Sequence, residues 1–212
     1  MSVSETVITP EYWTAACAHL SKKDRVMKRL IPQFGDACLV SRGDAFVTLA
    51  RSIVGQQISV KAAQTVWDRF AKLSRRLTPR QVLKLKVDDM REAGLSARKV
   101  EYLVDLALHF DNGDLHVTNW QAMEDEAIIA ELIGIRGIGR WTAEMFLIFH
   151  RMRPNVLPLD DVGLINGISQ SYFSGEAVSR SDAREVAAAW SPYCSVATWY
   201  IWRSLDPLPV AY

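Results

Sequence analysis

Apolar residues recur at intervals of three and four along most of this 212-residue chain, and this spacing constrains the fold more than any other feature. It is the spacing of an amphipathic α-helix, whose core-facing stripe returns every 3.6 residues. Helices are predicted over residues 44–54, 59–73, 96–110 and 182–190, with N-caps at Asp44, Ser59, Ser96 and Ser181 and with Gly94, Gly113 and Gly175 at helix ends or turns. Because no segment sustains the two-residue alternation of a strand, we expect an all-α fold of about ten helices.

Composition excludes several classes of protein. Apolar residues make up 49% of the chain, which is ample for a core, but no apolar run approaches the roughly 18 residues of a membrane span. The three cysteines, Cys17, Cys38 and Cys194, are widely spaced, which is typical of free thiols in a reducing compartment. The N-terminus lacks the basic-then-apolar pattern of a signal peptide. We expect a cytoplasmic protein without a membrane partner, and nothing in the sequence predicts an oligomer.

Charge is unevenly distributed, although the formal net charge is only +1. Between residues 61 and 100 there are eleven Lys and Arg and four acids, whereas residues 104–131 hold seven acids and no Lys or Arg. A near-neutral total can therefore contain a basic face suited to a polyanion. Solvated helix faces would explain the same charges.

The segment LIGIRGIGRWTAEMF, residues 132–146, places glycines on both sides of one isoleucine. Helices are predicted on either side of the glycines, at 124–134 and 140–150, so the chain must reverse within a few residues. Gly137 and Gly139 permit backbone angles closed to other residues, and Ile138 can tuck between the two helices. The start of the second helix then offers N–H donors and partial positive charge, which suit a phosphate. A glycine turn that merely joins two helices is the alternative.

GIRGIGRWTA resembles the hairpin of the helix-hairpin-helix DNA glycosylases. VLPLDDVGL at 156–164 resembles the apolar segment and aspartate that follow the hairpin in that superfamily, and RSIVGQQISVKAA at 51–63 and SVATWYIW at 195–202 resemble its DNA-3-methyladenine glycosylase II branch. The resemblance runs from about residue 44 to 205. It implies a monofunctional glycosylase of base excision repair that flips out alkylated purines, such as 3-methyladenine or 7-methylguanine, from double-stranded DNA and hydrolyses their N-glycosidic bond.

The resemblance also implies an architecture of two helical domains. Residues 44–146 would form the domain with the wedge turn and the hairpin. Residues 1–43 and 147–212 would form the second domain, with an active-site cleft between the two. The extra N-terminal sheet domain of some members of the branch is not expected, because only residues 1–43 precede the matched region.

Asp161 maps to the catalytic aspartate of the family, with Asp160 as its closest rival. Its carboxylate would stabilise the positive charge that builds on the sugar as the bond breaks, or would orient or deprotonate a water. An alkylated purine is already cationic, so it can leave without a strong general acid. Asp161 could instead serve only as the N-cap of a helix that begins at Val162, which is worth about 1 kcal/mol.

Trp141 and Trp202 map to the base pocket, where aromatic faces can stack on a flipped base. The cation–π interaction with a cationic base is worth about 0.5–2 kcal/mol. Each could instead be a core residue. Met145 and Val162 stand where some relatives have tyrosines, so the pocket would be less aromatic. Relatives that cut the DNA strand carry a lysine nucleophile at the position of Trp141. No lysine lies between residues 100 and 212, so we expect no lyase step.

In the family, the turn that contains Gln56 and Gln57 inserts a side chain into the gap left by the flipped base. Gln57 maps to this wedge position, with Gln56 as the alternative and a simple polar cap of the loop as a third interpretation. Wedges are more often apolar, so a glutamine here could hydrogen-bond the orphaned base. The DNA contacts implied by the wedge turn and the hairpin are Gln56, Gln57, Ser59, Gly137, Ile138, Gly139, Arg140 and Thr142.

No cofactor is expected to be required. An iron–sulfur cluster needs four closely spaced cysteines, and only Cys194 lies near the C-terminus. The backbone carbonyls of Ile135 and Ile138 could hold a structural Na⁺ or K⁺, as in relatives. Two other functions stay open: a glycosylase of the same fold for oxidised or deaminated bases, and a helix-hairpin-helix DNA-binding protein that performs no chemistry.

Overall fold

The computed structural model describes residues 9–41 and 43–205. The parts of the predicted domains that comprise residues 1–8, 42 and 206–212 lie outside the described residues. The described chain is entirely helical and has no strand, which confirms the all-α prediction. It contains, besides a short 3₁₀ helix at Ile31–Phe34, the helices α1 (Trp13–Lys23), α2 (Arg25–Leu30), α3 (Ala45–Gly55), α4 (Val60–Ala71), α5 (Pro79–Val82), α6 (Val87–Glu92), α7 (Ala97–Asn112), α8 (Asp125–Ile133), α9 (Arg140–Phe149), α10 (Val162–Tyr172), α11 (Arg180–Ala187) and α12 (Cys194–Leu205). None of these helices is long and apolar enough to cross a membrane.

The chain divides into two compact units. Of the described residues, the first unit combines 9–41 with 147–205, and the second comprises 43–146. The division falls inside α9, between Phe146 and Leu147.

In the first unit, α10 and α12 pack along each other, and α1 and α2 pack on α12. Gly167 allows the close approach of α10 and α12, because a Cβ there would lie 2.2 Å from a methyl carbon of Ile201. The buried carboxylate of Asp24 caps α2 and accepts hydrogen bonds from the Tyr172 hydroxyl (2.7 Å) and the Trp190 indole N–H (2.9 Å). These bonds fix the C-terminal end of α10 to the rest of the unit.

In the second unit, α3 packs on α4 and α7, and α5 and α6 pack on α7. The apolar stripe of α3, with Phe46, Leu49 and Ile53, is buried. The matching apolar stripe of α4, with Trp67 and Phe70, is also buried. The three- and four-residue spacing of the sequence therefore corresponds to the packed faces.

Most of the predicted helix caps are confirmed. The side chains of Asp44, Ser59 and Ser96 each accept a backbone N–H in the first turn of α3, α4 and α7. The prediction of Ser181 as a cap is wrong. Ser179 caps α11 instead, in a capping box with Asp182 that satisfies two backbone donors reciprocally, so the helix starts two residues earlier than predicted. Gly94, Gly113 and Gly175 all have positive φ, as expected for helix ends and turns.

Candidate active site and nucleic-acid interface

Asp161 lies at the start of α10 and is 5% exposed. One of its carboxylate oxygens, Oδ1, accepts two hydrogen bonds, from the backbone N–H of Leu164 at 2.6 Å and from the indole N–H of Trp202 at 2.7 Å. It is therefore the helix cap that the sequence allowed, but the bond from Trp202 is more than capping requires. The carboxylate is held in one orientation by a backbone donor and a side-chain donor.

The local sequence explains how Trp202 reaches this carboxylate. The loop before α10 turns tightly, with the N–H of Asp161 donating to the carbonyl of Pro158 at 3.0 Å. The first turn of α10 then contains Gly163. A Cβ at Gly163 would lie 3.1 Å from Oδ1 of Asp161 and 3.3 Å from the Trp202 indole, which is closer than side chains normally pack. Glycine leaves the space in which the indole and the carboxylate meet.

Trp202 is 4% exposed, and its ring stacks on Phe149 with centroids 5.7 Å apart and an interplanar angle of 12°. It is thus both a packed core residue and a donor to Asp161. The predicted stacking of Trp202 on a flipped base stays a prediction. Its contact with the carboxylate was not evident from the sequence, because the two residues are 41 positions apart.

Asp160 has a different environment from Asp161. Its side chain is 44% exposed and pairs with Arg180, with Nη2 and Oδ1 2.5 Å apart. A solvated carboxylate paired with a flexible arginine is a poor fixed anion, because water screens its charge. Of the two aspartates, Asp161 has the geometry of a site residue.

The other predicted pocket residues are divided between the two units. Val162 follows Asp161 in the first unit and is 71% exposed. Trp141 and Met145 lie on α9 in the second unit, where Trp141 is half-buried and Met145 is 5% exposed. Their role in a base pocket stays a prediction.

The hairpin turn, residues 135–139, lies between α8 and α9 and follows the predicted pattern with one exception. Gly137 has φ +86°, and a Cβ there would lie 2.2 Å from the ring of Tyr102, so no other residue fits. Ile138 is 4% exposed and is packed as predicted. Gly139 has no positive φ, and nothing lies within 4 Å of the position of a Cβ. Its glycine is therefore not required for folding of the turn, contrary to expectation, and it leaves the start of α9 open on that side.

Three backbone donors of the hairpin turn are already used within the protein, including the N–H of Ile135, which donates to the carbonyl of Leu132 at 3.1 Å. The N–H of Arg136 donates to Oδ2 of Asp105 at 2.8 Å, and the N–H of Ile138 donates to the carbonyl of Ile135 at 3.1 Å. A helix N-terminus directs its first N–H groups outward, so the start of α9 offers the candidate donors for a phosphate.

Side chains at the start of α9 contribute less to an anion site than the sequence suggested. The guanidinium of Arg140 bonds both carboxylate oxygens of Glu126 and also Glu144, where Nε and Oε1 are 3.0 Å apart. The hydrogen bond from Arg140 lowers the pKa of Glu126. Thr142 is 5% exposed. An anion at the hairpin would therefore have to be bound mainly by its backbone.

The wedge turn, residues 55–59, joins α3 to α4 and gives its two glutamines different environments. Gln57 is exposed and has φ +59°, which is rare for a residue with a side chain. The side chain of Gln56 is half-buried and donates to the carbonyl of Gly137 at 2.9 Å. Ser59, the cap of α4, is exposed at the end of the turn. Of the two glutamines, Gln57 is therefore the one that projects from the turn.

A known family matches this arrangement of hairpin and aspartate. The profile of the HhH-GPD superfamily base excision DNA repair proteins matches residues 50–192, which include the wedge turn, the hairpin and Asp161. The chain belongs to this superfamily. DNA-3-methyladenine glycosylase 1 of Schizosaccharomyces pombe is 31% identical over 199 residues, which cover 90% of this chain and 87% of that protein.

Solved structures of HhH-GPD proteins have the same fold as this chain. A DNA-3-methyladenine glycosidase from Bacillus halodurans superposes with a TM-score of 0.81 at 34% identity, covering 89% of this chain and 87% of its own. The S. pombe 3-methyladenine DNA glycosylase Mag1, solved in complex with abasic DNA, superposes with a TM-score of 0.78 at 29% identity, covering 92% and 98%.

Several residues of this HhH-GPD protein were not predicted to belong to the interface. Tyr102 and Asp105 hold the hairpin turn from α7, and Glu126 and Glu144 neutralise Arg140. Ile58 is 39% exposed beside Gln57, so the wedge turn presents an apolar side chain as well as a polar one. Ile58, next to the glutamines, and Glu144, four residues after Arg140 on α9, carried a sequence signal. Tyr102, Asp105 and Glu126 did not, since they act through long-range contacts.

The predicted Na⁺ or K⁺ stays untested. Among the described residues, no group of three or more His, Cys, Asp or Glu could hold a metal ion. The hairpin offers carbonyl oxygens instead, which are the donors that alkali cations take, although that of Ile135 already accepts the N–H of Ile138.

Proposed function

We propose that this protein is a DNA glycosylase of base excision repair that removes alkylated purines, such as 3-methyladenine and 7-methylguanine, with Asp161 as its catalytic residue. The observation that carries the proposal is the buried carboxylate of Asp161, held by the N–H groups of Leu164 and Trp202. Such an anion is fixed before the substrate arrives, so its field does not have to reorganise during the reaction. The superfamily and the names of the relatives support the same function.

The proposed chemistry needs only one carboxylate. The bond between C1′ of the sugar and the ring nitrogen of the purine breaks, and the base leaves with the electron pair. A cationic alkylated purine becomes neutral in this step, while the sugar becomes an oxocarbenium-like cation. Asp161 stabilises that cation, or takes the proton of the water that adds to C1′. The products are a free base and an abasic site.

We propose that the hairpin turn binds a DNA phosphate through the first backbone N–H groups of α9. The open side of Gly139 supports this, because a phosphate can approach the backbone where a side chain would block it. Backbone donors bind phosphate without reading sequence, which suits an enzyme that must act at any lesion. A Na⁺ or K⁺ on the carbonyls of Ile135 and Ile138 would brace this turn and would take no part in the chemistry.

We further propose that the enzyme is monofunctional and acts as a monomer in the cytoplasm on double-stranded DNA. A lyase step needs an amine that forms a Schiff base with the sugar. Trp141 stands where strand-cutting relatives carry that lysine, and no lysine follows residue 100. The glycosylase II branch is proposed from the same resemblance.

The test is base release from duplex DNA treated with a methylating agent. The wild-type protein is expected to release 3-methyladenine or 7-methylguanine, and the strands are expected to break only after alkali. Strand breaks before alkali would contradict the monofunctional assignment. Release only from DNA with deaminated or oxidised bases would contradict the proposal that alkylated purines are the substrate. DNA binding without any base release would contradict the proposal that the protein is an enzyme.

A further inference from the structure

The wedge turn and the hairpin turn are joined directly by one side chain. Nε2 of Gln56 donates to the carbonyl oxygen of Gly137 at 2.9 Å, across 81 positions of sequence. Both turns belong to the second unit. The bond is part-buried and therefore competes with little water, and it links the loop proposed to enter the DNA gap with the loop proposed to bind phosphate.

Helix α7 supports both turns from one face. Lys99 donates from Nζ to the carbonyl of Val54, in the last turn of α3, at 2.7 Å. Burial lowers the pKa of this lysine. One turn further along α7, the Tyr102 ring packs under Gly137, and Asp105 accepts the N–H of Arg136 one turn beyond that. Residues spaced by three lie on the same side of a helix, so α7 presents a row of contacts to both turns.

Neighbouring residues of the wedge turn have opposite roles. Gln56 points inward to the hairpin, whereas Gln57 is exposed with φ +59°. A left-handed conformation at a residue with a side chain costs about 1–3 kcal/mol and persists only when surrounding contacts impose it. Two hydrogen bonds hold the residues just before Gln57: that of the Gln56 side chain to Gly137 and that of Lys99 to the carbonyl of Val54. They are contacts of this kind.

We propose that Gln56 is a positioning residue that holds the wedge turn in register with the hairpin turn, so that Gln57 enters the DNA while the hairpin binds the backbone. This inference rests on the proposed function. It assigns the insertion to Gln57 and excludes a direct contact of Gln56 with the DNA. Gln56 acts by donating an N–H to a carbonyl, so any replacement must be judged by whether it can donate.

The experiment uses Gln56→Glu, Gln56→Leu and Gln57→Ala in the full chain, with Gln64→Glu as the control for an added charge on an exposed glutamine of α4. Affinity is measured for a duplex with a stable abasic-site analogue and for the same duplex without it. The ratio of the two affinities, the lesion preference, reports the insertion. Affinity for undamaged duplex reports the hairpin, and the melting temperature reports folding.

At pH 7.5, Gln56→Glu and Gln56→Leu are expected to reduce the lesion preference about three- to tenfold, the effect of one lost hydrogen bond. The reduction is expected to match that of Gln57→Ala, with affinity for undamaged DNA unchanged. The double variant Gln56→Leu with Gln57→Ala should lose no more than either single variant, because both changes remove the same insertion. Additive losses would mean that Gln56 contacts the DNA itself and would overturn the proposal.

Acidification separates positioning from simple destabilisation. At pH 5 the carboxyl of Gln56→Glu, which faces a carbonyl, becomes protonated to a growing extent and can donate to Gly137. Its lesion preference relative to wild type should recover, whereas that of Gln56→Leu should not. Equal behaviour of the two variants, or wild-type preference in both, would overturn the inference. A wild-type protein without lesion preference or base release would instead overturn the proposed function.

Discussion

At the scale of single residues, the choice between two adjacent aspartates depends on contacts that sequence does not encode locally. Asp160 and Asp161 are chemically identical, and only the structure shows that one pairs with Arg180 in solvent and the other accepts the Trp202 indole N–H. The resemblance placed Asp161 and Trp202 in the site, but it placed Trp202 there as a stacking face.

Replacing Trp202 by phenylalanine removes the indole N–H but keeps an aromatic ring that can stack on Phe149. We expect Trp202→Phe to lower kcat by about tenfold, because the carboxylate loses an orienting donor, with little change in DNA affinity. Single-turnover release from methylated DNA measures the effect. The matched control is Trp190→Phe, which removes an indole donor from another buried carboxylate, Asp24, and should lower the melting temperature without lowering kcat. Equal kcat values for both variants would contradict the role of Trp202.

The two glycines of the hairpin turn are expected to respond differently to alanine. Gly137→Ala places a Cβ into the Tyr102 ring at positive φ and should cost more than about 2 kcal/mol of unfolding free energy, because the site becomes strained and overpacked. Gly139→Ala has open space and should cost less than about 1 kcal/mol. Under the proposed function it should nevertheless weaken DNA binding. Chemical denaturation and binding to undamaged duplex test the pair, and full affinity in Gly139→Ala would argue against the phosphate site.

At the scale of helices and turns, periodicity located the elements well and their ends less well. The helices around the hairpin were predicted at 124–134 and 140–150 and occur at Asp125–Ile133 and Arg140–Phe149. Ser181 failed as a cap because Ser179 with Asp182 satisfies more backbone donors than Ser181 could. The pair of Arg140 with Glu144 has the four-residue spacing of a helix and could be read from sequence, whereas the pair with Glu126 could not, since Glu126 belongs to the preceding helix.

Glu131 of α8 holds the segment before that helix through Trp120 (2.7 Å) and His116 (2.6 Å). Burial raises the pKa of this carboxyl, but the hydrogen bonds from Trp120 and His116 outweigh burial and leave the pKa below its ordinary value of 4.5. A lowered pKa in the folded state means that the stabilisation is fully present above pH 4.5 and is lost as the pH falls through the folded-state pKa.

We therefore expect Glu131→Gln to lower the unfolding free energy by about 1 kcal/mol at pH 7, because the charge-assisted bonds become neutral ones. The difference from wild type should shrink toward zero as both proteins are acidified below the folded-state pKa. Denaturation at a series of pH values measures it. A difference that stays constant into the acid range would show that shape, and not charge, is what α8 requires at this position.

At the scale of the whole molecule, the all-α class was predictable because the packed faces of helices such as α3 and α4 follow helical spacing. The net charge of +1 gave no indication of DNA binding, and the phosphate site proposed at the hairpin would account for this. An interface that binds phosphate through backbone N–H groups needs few basic side chains, and even Arg140 is neutralised by Glu126 and Glu144. The hairpin turn could be predicted from sequence, whereas the contacts of its residues with Tyr102, Asp105 and Glu126 could not.

The most direct test compares Asp161→Asn with Asp160→Asn in single-turnover base release from methylated duplex DNA. Asparagine still caps a helix and accepts hydrogen bonds, so Asp161→Asn should fold and bind DNA normally while losing the negative charge. We predict that its release rate falls at least about 100-fold, or about 2.7 kcal/mol, and that Asp160→Asn keeps the wild-type rate. Release by Asp161→Asn at close to the wild-type rate would contradict the assignment of the catalytic carboxylate.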